Sequence, residues 1–393
     1  MQNIVIIGGK LQGSEVAYLG YKGGFNIILI DKNPQCPARK LSGNFICADV
    51  TNKNPEVENI LKSSDMIIPT MENYEVLKYL VDLCHDLRIE SKLAFDWEAY
   101  KISRSKIRSD KLFHSNGLPA PKYYPGGTYP YIAKPGYDSG SHGVLMIKSK
   151  EEMNNFKRNP QIDSDNYIIQ EYVTGPSYSV EVIGSPGNYK TYDLTEIFVD
   201  SGYDCYSIEI PDNVNEKIQK QIEDLAVEAA GLIKLRGIMD LEVIVREDDI
   251  YILEIDARFP SQTPISVYHS SGVNYVKELY DLFIGSGDKI EDYGENKHSK
   301  PELGKKYSKL IHYLVTDNRF APLGEHIMVE GGVLDYTSGI TDEAIAITDY
   351  TGREDVWRST FIYSADSKQE LIKKSEKIEK DLDYFLLTGR KAM

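Results

Sequence analysis

The chain has 393 residues, 41% hydrophobic and 27% charged, which excludes a disordered or fibrous protein and predicts a soluble globular one. Its 60 acidic and 45 basic residues give a net charge of -15, which argues against nucleic acid and against an anionic membrane surface as partners. The four cysteines show no CxxC spacing, so neither a zinc ribbon nor a disulfide scaffold is expected, and a cytoplasmic location fits best. No apolar run approaches the roughly 20 residues of a membrane span, and no signal peptide is predicted.

The order of predicted elements divides the chain into three parts. Over residues 1–95, β-branched runs alternate with amphipathic helical patterns, which indicates βαβ units and a parallel sheet. Residues 96–290 mix helices and strands, and one apolar stripe predicts a helix within residues 213–235. A polar segment leads into a C-terminal region, residues 291–393, which ends in a charged helix at about 367–387.

The first predicted strand ends in a glycine-containing loop. Gly8, Gly9 and Gly13 follow this strand, and Asp31 closes the next one. This order is typical of dinucleotide-binding sites, so an NAD-dependent oxidoreductase is an alternative function. Lys10 argues against it, because the fingerprint needs its middle glycine there to let a pyrophosphate approach.

Two lysines and a small-residue loop suggest a phosphate site. A predicted strand ends at Lys134, and the Gly- and Ser-rich residues 136–143 follow it. Such a loop can present backbone N–H groups to phosphate oxygens while a lysine supplies a point charge. Lys106, on a predicted helix, would by itself be a solvated surface lysine. Residues 170–173 end a buried strand whose backbone could pair with an adenine, and Glu171 could bind a ribose.

The strongest chemical signal is a predicted β-hairpin at residues 237–256. Two pairs of carboxylates are expected to face each other across its strands, Asp240 with Asp256 and Glu242 with Glu254. Like charges in such pairs repel each other unless a cation lies between them, and Mg²⁺ prefers such oxygen ligands. The alternative is a solvated strand face. A packed face is favoured because four isoleucines are expected on it: Ile238, Ile244, Ile250 and Ile252.

These residues, in order and roughly in spacing, resemble the ATP-grasp carboxylate–amine ligases. The resemblance implies an α/β and α+β multidomain architecture. An N-terminal Rossmann-like pre-ATP-grasp domain would occupy residues 1–95, an ATP-grasp domain 96–290 with a lid subdomain at about 115–180, and a small C-terminal region the remainder. Asp256 is a departure, since many relatives have asparagine there. The resemblance also allows a homodimer, although the sequence itself is silent on oligomeric state.

A narrower resemblance, over residues 1–283, is to the ligases of pyrrolysine biosynthesis. It rests on strings at residues 8–13, 31–35, 98–104, 203–205, 234–240 and 254–264. The implied reaction activates the carboxylate of (3R)-3-methyl-D-ornithine with ATP as an acyl phosphate, which the ε-amine of L-lysine then attacks. ADP and phosphate are released. The alternatives are another ATP-grasp amino-acid or dipeptide ligase and a non-catalytic amino-acid sensor.

Position by position, this resemblance implies roles for residues at the nucleotide end of the site. The ligands of two Mg²⁺ ions would be Glu242, Glu254 and Asp256. The ATP contacts would be Lys106, Lys134, Ser141, Gln170, Glu171, Tyr172 and Val173. A second crevice, for a nucleotide or substrate, would comprise Lys10, Asp31, Asp49 and Val50.

The resemblance also implies two substrate pockets and one catalytic group. The ornithine part would be surrounded by Ser179, Val180, Glu181, Asp240, Pro260, Ser261, Gln262, Thr263, Pro264 and Ile265. The lysine part would meet Leu11, Gln12, Glu72 and Thr263. The catalytic residue would be Arg258, which would stabilise the transferring phosphoryl group. Acidic side chains suit substrates with two ammonium groups, although an acid such as Glu72 is also common at a helix N-terminus.

Overall fold

The N-terminal part of the chain is a parallel α/β unit in the computed structural model, which describes residues 1–137, 143–163, 166–285, 306–316, 319–337, 339–352 and 355–389. Its strands are β1 (Asn3–Ile7), β2 (Asn26–Asp31), β3 (Asn44–Cys47) and β4 (Met66–Pro69), which pair in parallel in the order β3-β2-β1-β4. The helices are α1 (Leu11–Lys22), α2 (Pro55–Ser63) and α3 (Tyr74–Asp86), with short 3₁₀ helices at Pro37–Lys40 and Glu90–Lys92. The predicted βαβ pattern is confirmed.

The strand order determines which loops meet at the carboxyl edge of this sheet. Asp49 lies beyond β3, Asp31 ends β2, Gly8 follows β1 and Glu72 follows β4. In open parallel sheets, ligands bind at this edge. Gly8 has a φ of 107°, and a Cβ on it would lie 2.9 Å from the carbonyl oxygen of Thr70. Glycine therefore lets the loops after β1 and β4 lie close together.

Two helices and a small antiparallel sheet follow. α4 (Trp97–Ser103) precedes α5 (Lys106–Ser115), and Ser105 caps α5 by accepting a hydrogen bond from the backbone N–H of Arg108. In the sheet, β5 (Tyr131–Pro135) lies between β6 (Leu145–Ile147) and β7 (Tyr167–Glu171). α6 (Lys150–Arg158) packs on it through Met153 and Phe156. This sheet lies within the predicted lid subdomain.

The remaining described strands form one large antiparallel sheet. They are β8 (Ser177–Ser185), β9 (Asn188–Thr191), β10 (Thr195–Val199), β11 (Cys205–Glu209), β12 (Gly237–Arg246), β13 (Asp249–Asp256), β14 (Tyr307–Thr316), β15 (Arg319–Pro322), β16 (Asp335–Thr337), β17 (Ile345–Thr348) and β18 (Val356–Ala365). The main order is β13-β12-β8-β10-β11-β14-β18-β17-β16, with β9 beside β8 and β15 beside β14.

Five further helices accompany this sheet: α7 (Glu216–Leu232), α8 (Thr263–Ser271), α9 (Tyr275–Phe283), α10 (Glu325–Met328) and α11 (Lys368–Thr388). α7 and α11 confirm the helices predicted at 213–235 and 367–387. α7 buries its apolar stripe against β8, β12 and β13. α8 and α9 share a core with α1, which joins the N-terminal unit to the large sheet. None of the helices in the described ranges is long and apolar enough to cross a membrane.

The C-terminal strands continue the sheet of the middle part of the chain. β11 pairs with β14, and Ser207 lies opposite Ile311. The predicted boundary near residue 290 falls within residues 286–305, which lie outside the described residues. The domain boundaries therefore stay a prediction.

Glu209, at the end of β11, holds this junction through two ion pairs. Its carboxylate lies 2.8 Å from Lys309 Nζ on β14 and 2.6 Å from Lys368 Nζ on α11, and its side chain is 12% exposed. Burial alone would raise the pKa of Glu209, but the two ammonium groups outweigh burial and hold this pKa below its ordinary value. The ion pairs therefore stabilise the folded state in the pH range in which the carboxylate of Glu209 is ionised.

We expect Glu209→Gln to lower the free energy of unfolding by about 1–3 kcal/mol at pH 7, because it leaves two lysines beside a neutral amide. The stabilisation is present in full above the ordinary carboxyl pKa of 4.5 and is lost as pH falls through the lower folded-state pKa. Urea unfolding at pH 7 and pH 3.5 measures the difference, with the exposed Glu228→Gln as the control. An equal loss at both pH values would contradict the ion-pair origin.

Candidate active site

The acidic hairpin is formed by β12 and β13, and its predicted register is confirmed. Asp240 lies opposite Asp256, and Glu242 lies opposite Glu254. β12 also pairs with β8, where Glu181 is opposite Asp240. Since opposite residues in antiparallel strands share a face, five carboxylates lie on one face of three neighbouring strands.

A β-bulge in the hairpin corrects one part of the prediction. The register shifts after Glu242, so that Val243 lies opposite Ile252 and Leu253 is the extra residue. Ile250 and Ile252 pack with Val243 in the core beneath α7. The prediction that these two isoleucines share the carboxylate face is wrong, because one extra residue reverses the alternation of side chains between the faces.

Burial and mutual repulsion raise the pKa values of three carboxyl groups on this face. Burial and the neighbouring Glu254 raise the pKa of Glu242 to about 8. Burial raises the pKa of Asp256 to about 6, although Arg258 opposes the shift. Burial and its two acidic neighbours raise the pKa of Asp240 well above its ordinary value. A divalent cation would relieve this repulsion, and a set of donors made of carboxylate oxygens fits Mg²⁺.

Two lysines approach the hairpin from different elements. Lys106, at the start of α5, forms an ion pair with Glu254, and Lys134 lies on β5. Burial alone would raise the pKa of Glu254, but Lys106 and Lys134 outweigh burial and hold this pKa below its ordinary value. Burial lowers the pKa of Lys134. The small sheet and α5 therefore place positive charge against the carboxylates, as a site for anionic phosphates requires.

Arg258 connects the hairpin to the N-terminal unit. Its Nη2 lies 2.6 Å from Asp256 Oδ2 and 2.9 Å from Glu72 Oε1, and its side chain is 16% exposed. Glu72 also accepts a hydrogen bond from Gln12 Nε2 at 3.3 Å. The guanidinium thus bridges the end of β13 and the loop after β4.

A cavity of about 540 Å³ follows the carboxyl edge of the N-terminal sheet. The predicted second crevice and most of the predicted lysine contacts line this one cavity: Lys10, Asp31, Asp49 and Val50, together with Leu11, Gln12 and Glu72. Thr263, at the start of α8, is absent from the described residues that line it. Ser261, Glu325 and His326 also line the cavity. The cavity thus extends from the nucleotide-like crevice to the bridge made by Arg258.

The predicted ornithine contacts on β8 divide between two faces of the sheet. The carboxylate of Glu181 is buried and accepts hydrogen bonds from Tyr275 Oη at 2.9 Å and from Ser179 Oγ at 3.4 Å. Burial raises the pKa of Glu181 above its ordinary value. Val180 packs in the core beneath α7, on the opposite face from Asp240. Its side chain therefore points away from the carboxylates.

The segment 260–265, which follows Arg258, is held from two sides. Ser261 Oγ and Gln262 Nε2 donate to Glu325 Oε2 at 2.8 and 2.9 Å. The backbone N–H of Ile265 donates to Glu15 Oε2 on α1 at 3.2 Å. Burial raises the pKa of Glu15 to about 8. An N-terminal helix and a C-terminal helix therefore both determine the position of this segment.

The predicted adenine contacts lie on β7 and just after it. Gln170 is 2% exposed, and its Nε2 donates to Asp110 Oδ1 at 2.6 Å. The backbone N–H groups of Glu171 and Tyr172 each donate to a carbonyl oxygen at 2.9 Å, and Val173 is buried. Ser141 lies outside the described residues, as does most of the predicted phosphate loop. The nucleotide roles of these residues stay predictions.

Sequence reasoning missed three residues at one end of the cavity: Asp204, Glu325 and His326. Their side-chain ligand atoms lie within 4.8 Å of one another. Asp204 precedes β11, and the other two residues begin α10. Asp204 lies within the string at residues 203–205, but the resemblance assigned it no role, and no motif marks Glu325 or His326. The three residues come together only through the pairing of β11 with β14.

Comparisons with known proteins show the family to which the chain belongs. The model of the ATP-grasp domain family matches residues 103–262. The 3-methyl-D-ornithine–L-lysine ligase of Methanosarcina acetivorans is 33% identical over 363 residues, which cover 92% of this chain and 93% of that protein. The chain belongs to the ATP-grasp carboxylate–amine ligases. The Methanosarcina mazei ligase of the same name is also 33% identical and covers 92% of this ligase.

The fold of the ligase is also found in solved structures. A biotin carboxylase from Campylobacter jejuni, in complex with a nucleotide, aligns over 98% of this ligase and 94% of its own chain. The TM-score is 0.71 at 16% identity, which shows a shared fold. The protein is an ATP-dependent ligase, so the NAD-dependent oxidoreductase alternative is set aside. ATP-grasp enzymes use ATP and Mg²⁺.

We expect Glu242→Gln to stabilise the ligase in EDTA, because it removes one of the repelling carboxylates with little change in shape. The folded-state pKa of about 8 exceeds the ordinary 4.5, so the wild-type group destabilises the folded state increasingly as pH rises between these values. The gain in the free energy of unfolding is therefore small at pH 5 and of the order of 1 kcal/mol or more at pH 8.5.

Urea unfolding of the two proteins at both pH values measures this gain. Glu228→Gln, which changes an exposed residue on α7, is the matched control. A loss of stability at pH 8.5 would mean that the carboxylates do not repel one another.

Proposed function

We propose that this ligase joins the carboxylate of (3R)-3-methyl-D-ornithine to the ε-amine of L-lysine through an acyl phosphate. The observation that carries the proposal is the bridge from Glu72 through Arg258 to Asp256, which connects the N-terminal cavity to the acidic hairpin. Two relatives named for this reaction align over 92% of the chain. The aligned length is sufficient to include both the cavity and the hairpin.

The nucleotide end of the proposed site is the hairpin and the lysines against it. Glu242, Glu254 and Asp256 are the proposed ligands of two Mg²⁺ ions, which when bound neutralise charge on phosphate oxygens. Lys106 and Lys134 are proposed to bind the phosphates of ATP, because both already lie beside Glu254. We place the adenine and ribose against residues 170–173, which follow the same small sheet, and assign Ser141 to the phosphates.

Arg258 is proposed as the catalytic residue. It lies between the hairpin and the cavity, where the acyl phosphate would form and be attacked. Transfer of a phosphoryl group needs its oxygens held and neutralised, rather than a nucleophilic protein side chain. A guanidinium fixed by two carboxylates offers donors in a rigid arrangement for this purpose.

The two amino-acid substrates are proposed to enter from opposite sides of Arg258. Glu181 and Asp240, with residues 260–265, give the ornithine side acidic groups for two ammonium ions. On the side proposed for lysine, the cavity is lined by Leu11, Gln12 and Glu72. Thr263 is absent from the described lining of that cavity, so we assign it to the ornithine side. Lys10, Asp31, Asp49 and Val50 would bind the part of a substrate or nucleotide that reaches the outer crevice.

The test is a mass-resolved incubation of the purified ligase with Mg-ATP, L-lysine and 3-methyl-D-ornithine, with ADP measured in parallel. An isopeptide that requires both amino acids and appears in step with ADP is the expected result. ADP without this isopeptide would indicate another amino-acid or dipeptide ligase. Absence of both would contradict the proposal and favour an amino-acid sensor.

We expect Glu72→Gln to raise the KM for lysine at least several-fold more than the KM for ATP, because the residue is assigned to an ammonium group of lysine. Steady-state kinetics with each substrate varied in turn measures the two effects. Glu75→Gln, an exposed acid in the first turn of α3, is the control and is expected to change neither constant. A selective rise in the KM for ATP would assign Glu72 to the nucleotide instead.

A further inference from the structure

The proposed reaction leaves one proton without an acceptor. At neutral pH the side chain of lysine is an ammonium ion, which has no lone pair and cannot attack an acyl phosphate. A general base in the site must take one proton before the attack. This question rests on the proposed function and concerns the residues that line the cavity.

Asp204 and His326 form a hydrogen-bonded pair at the end of the cavity that also contains Glu72. His326 Nδ1 lies 2.6 Å from Asp204 Oδ1. The backbone N–H of His326 also faces the same carboxylate, at 3.3 Å from Oδ2. A Cβ on Gly324 would collide with Asp204 Oδ2, so the glycine lets the carboxylate reach the first turn of α10. The ring is therefore oriented by its neighbour, as in enzymes that use histidine as a base.

Three carboxylates of the cavity, those of Asp31, Asp49 and Glu72, are less suitable acceptors. Asp31 accepts hydrogen bonds from the backbone N–H of Gly9 at 2.6 Å and belongs to the outer crevice. Hydrogen bonds from Thr51 hold the pKa of Asp49 below its ordinary value. Glu72 is ion-paired with Arg258. A carboxylate whose ionised form is stabilised by hydrogen bonds, as that of Asp49 is, holds a proton weakly.

Glu325 has a different role beside the pair. Its Oε2 accepts hydrogen bonds from Ser261 Oγ and Gln262 Nε2, which fix the carboxylate at the cavity wall. The ligand atoms of Glu325 and His326 lie within 4.8 Å of each other. A carboxylate in this place can attract an ammonium ion toward the imidazole. Of the described residues that line the cavity, His326 carries the only imidazole.

We infer that His326 is the catalytic base that deprotonates the amine nucleophile, and that Asp204 is the positioning residue that orients its ring. Nδ1 is engaged by Asp204, so the proton passes to Nε2. The free amine then attacks the acyl carbon, the C–N bond forms, and the C–O bond to phosphate breaks with its electron pair on the phosphate. The second proton of the nitrogen leaves with the phosphate, and His326 returns its proton to solvent.

The charges around His326 predict how lysine-dependent turnover varies with pH. Burial would lower the pKa of His326, but the carboxylates of Asp204, Glu325 and Glu72 outweigh burial and raise it above 6.5. Only the neutral ring accepts a proton, so lysine-dependent turnover rises with pH through this pKa. Asp204→Asn removes one of the negative charges that raise the pKa of His326. The acidic limb of the pH–activity profile therefore moves to lower pH. Arg258 opposes these acids from the segment after β13, because its positive charge lowers the pKa of Glu325.

The experiment compares two nucleophiles in the wild-type ligase and in His326→Gln. L-lysine needs a base, whereas hydroxylamine is uncharged at neutral pH and traps an acyl phosphate directly as a hydroxamate. With Mg-ATP and 3-methyl-D-ornithine, His326→Gln is expected to lose roughly 10²- to 10⁴-fold in lysine-dependent isopeptide formation. Its hydroxamate formation is expected to stay within about twofold of wild type. His85→Gln, at an exposed histidine on α3, is the control.

The outcomes separate this inference from the proposed function. If His326→Gln lost isopeptide and hydroxamate formation equally, or lost no isopeptide formation with lysine, the role of His326 would be overturned. A selective loss with lysine in Glu325→Gln but not in His326→Gln would overturn it in favour of Glu325. A wild-type ligase that forms no hydroxamate would overturn the acyl phosphate itself. If His326→Gln does not fold, Asp204→Asn still tests the inference, because an unmoved acidic limb would contradict it.

Discussion

The repulsion among buried carboxylates on one hairpin is the constraint on which the rest of this structure depends. Asp240, Glu242, Glu254 and Asp256 occupy one sheet face, where burial and like charge raise most of their pKa values. Such a face is unfavourable without compensating positive charge. The compensation comes from other parts of the chain, through the lysines of α5 and β5 and the guanidinium of Arg258. This balance of charge is the reason why we propose a site for phosphates and Mg²⁺ at this face.

The N-terminal sheet adds a cavity to this charged face. Its parallel strands place the loops after β3, β2, β1 and β4 in a row, and the cavity follows that row. Glu72, at the end of the row, contacts Arg258 directly. The loops that resemble a dinucleotide site therefore open toward the acidic hairpin. In the proposed reaction, this continuity lets a carboxylate activated at the hairpin meet an amine held at the sheet edge.

The C-terminal strands close the cavity because they belong to the same sheet as the hairpin. The pairing of β11 with β14 brings α10 over the segment that follows Arg258. Glu325 holds that segment, and His326 faces the cavity beside Asp204. The C-terminal region thus supplies polar groups to the wall of the cavity. The ion pairs of Glu209 fasten the same junction.

Local patterns in the sequence determined the parallel N-terminal sheet, the helices α7 and α11 and the register of the hairpin, because alternation and helical periodicity are properties of neighbouring residues. The resemblance to the ATP-grasp ligases, rather than a local pattern, predicted Lys106, Glu254 and Arg258 as residues of one site. The tertiary structure decided the rest. The bulge at Leu253, which moves Ile252 to the other face, depends on strand packing. The contacts between α10 and the segment that follows Arg258 depend on strand order. Neither is encoded in the spacing of residues along the chain, because both result from contacts between segments far apart in sequence.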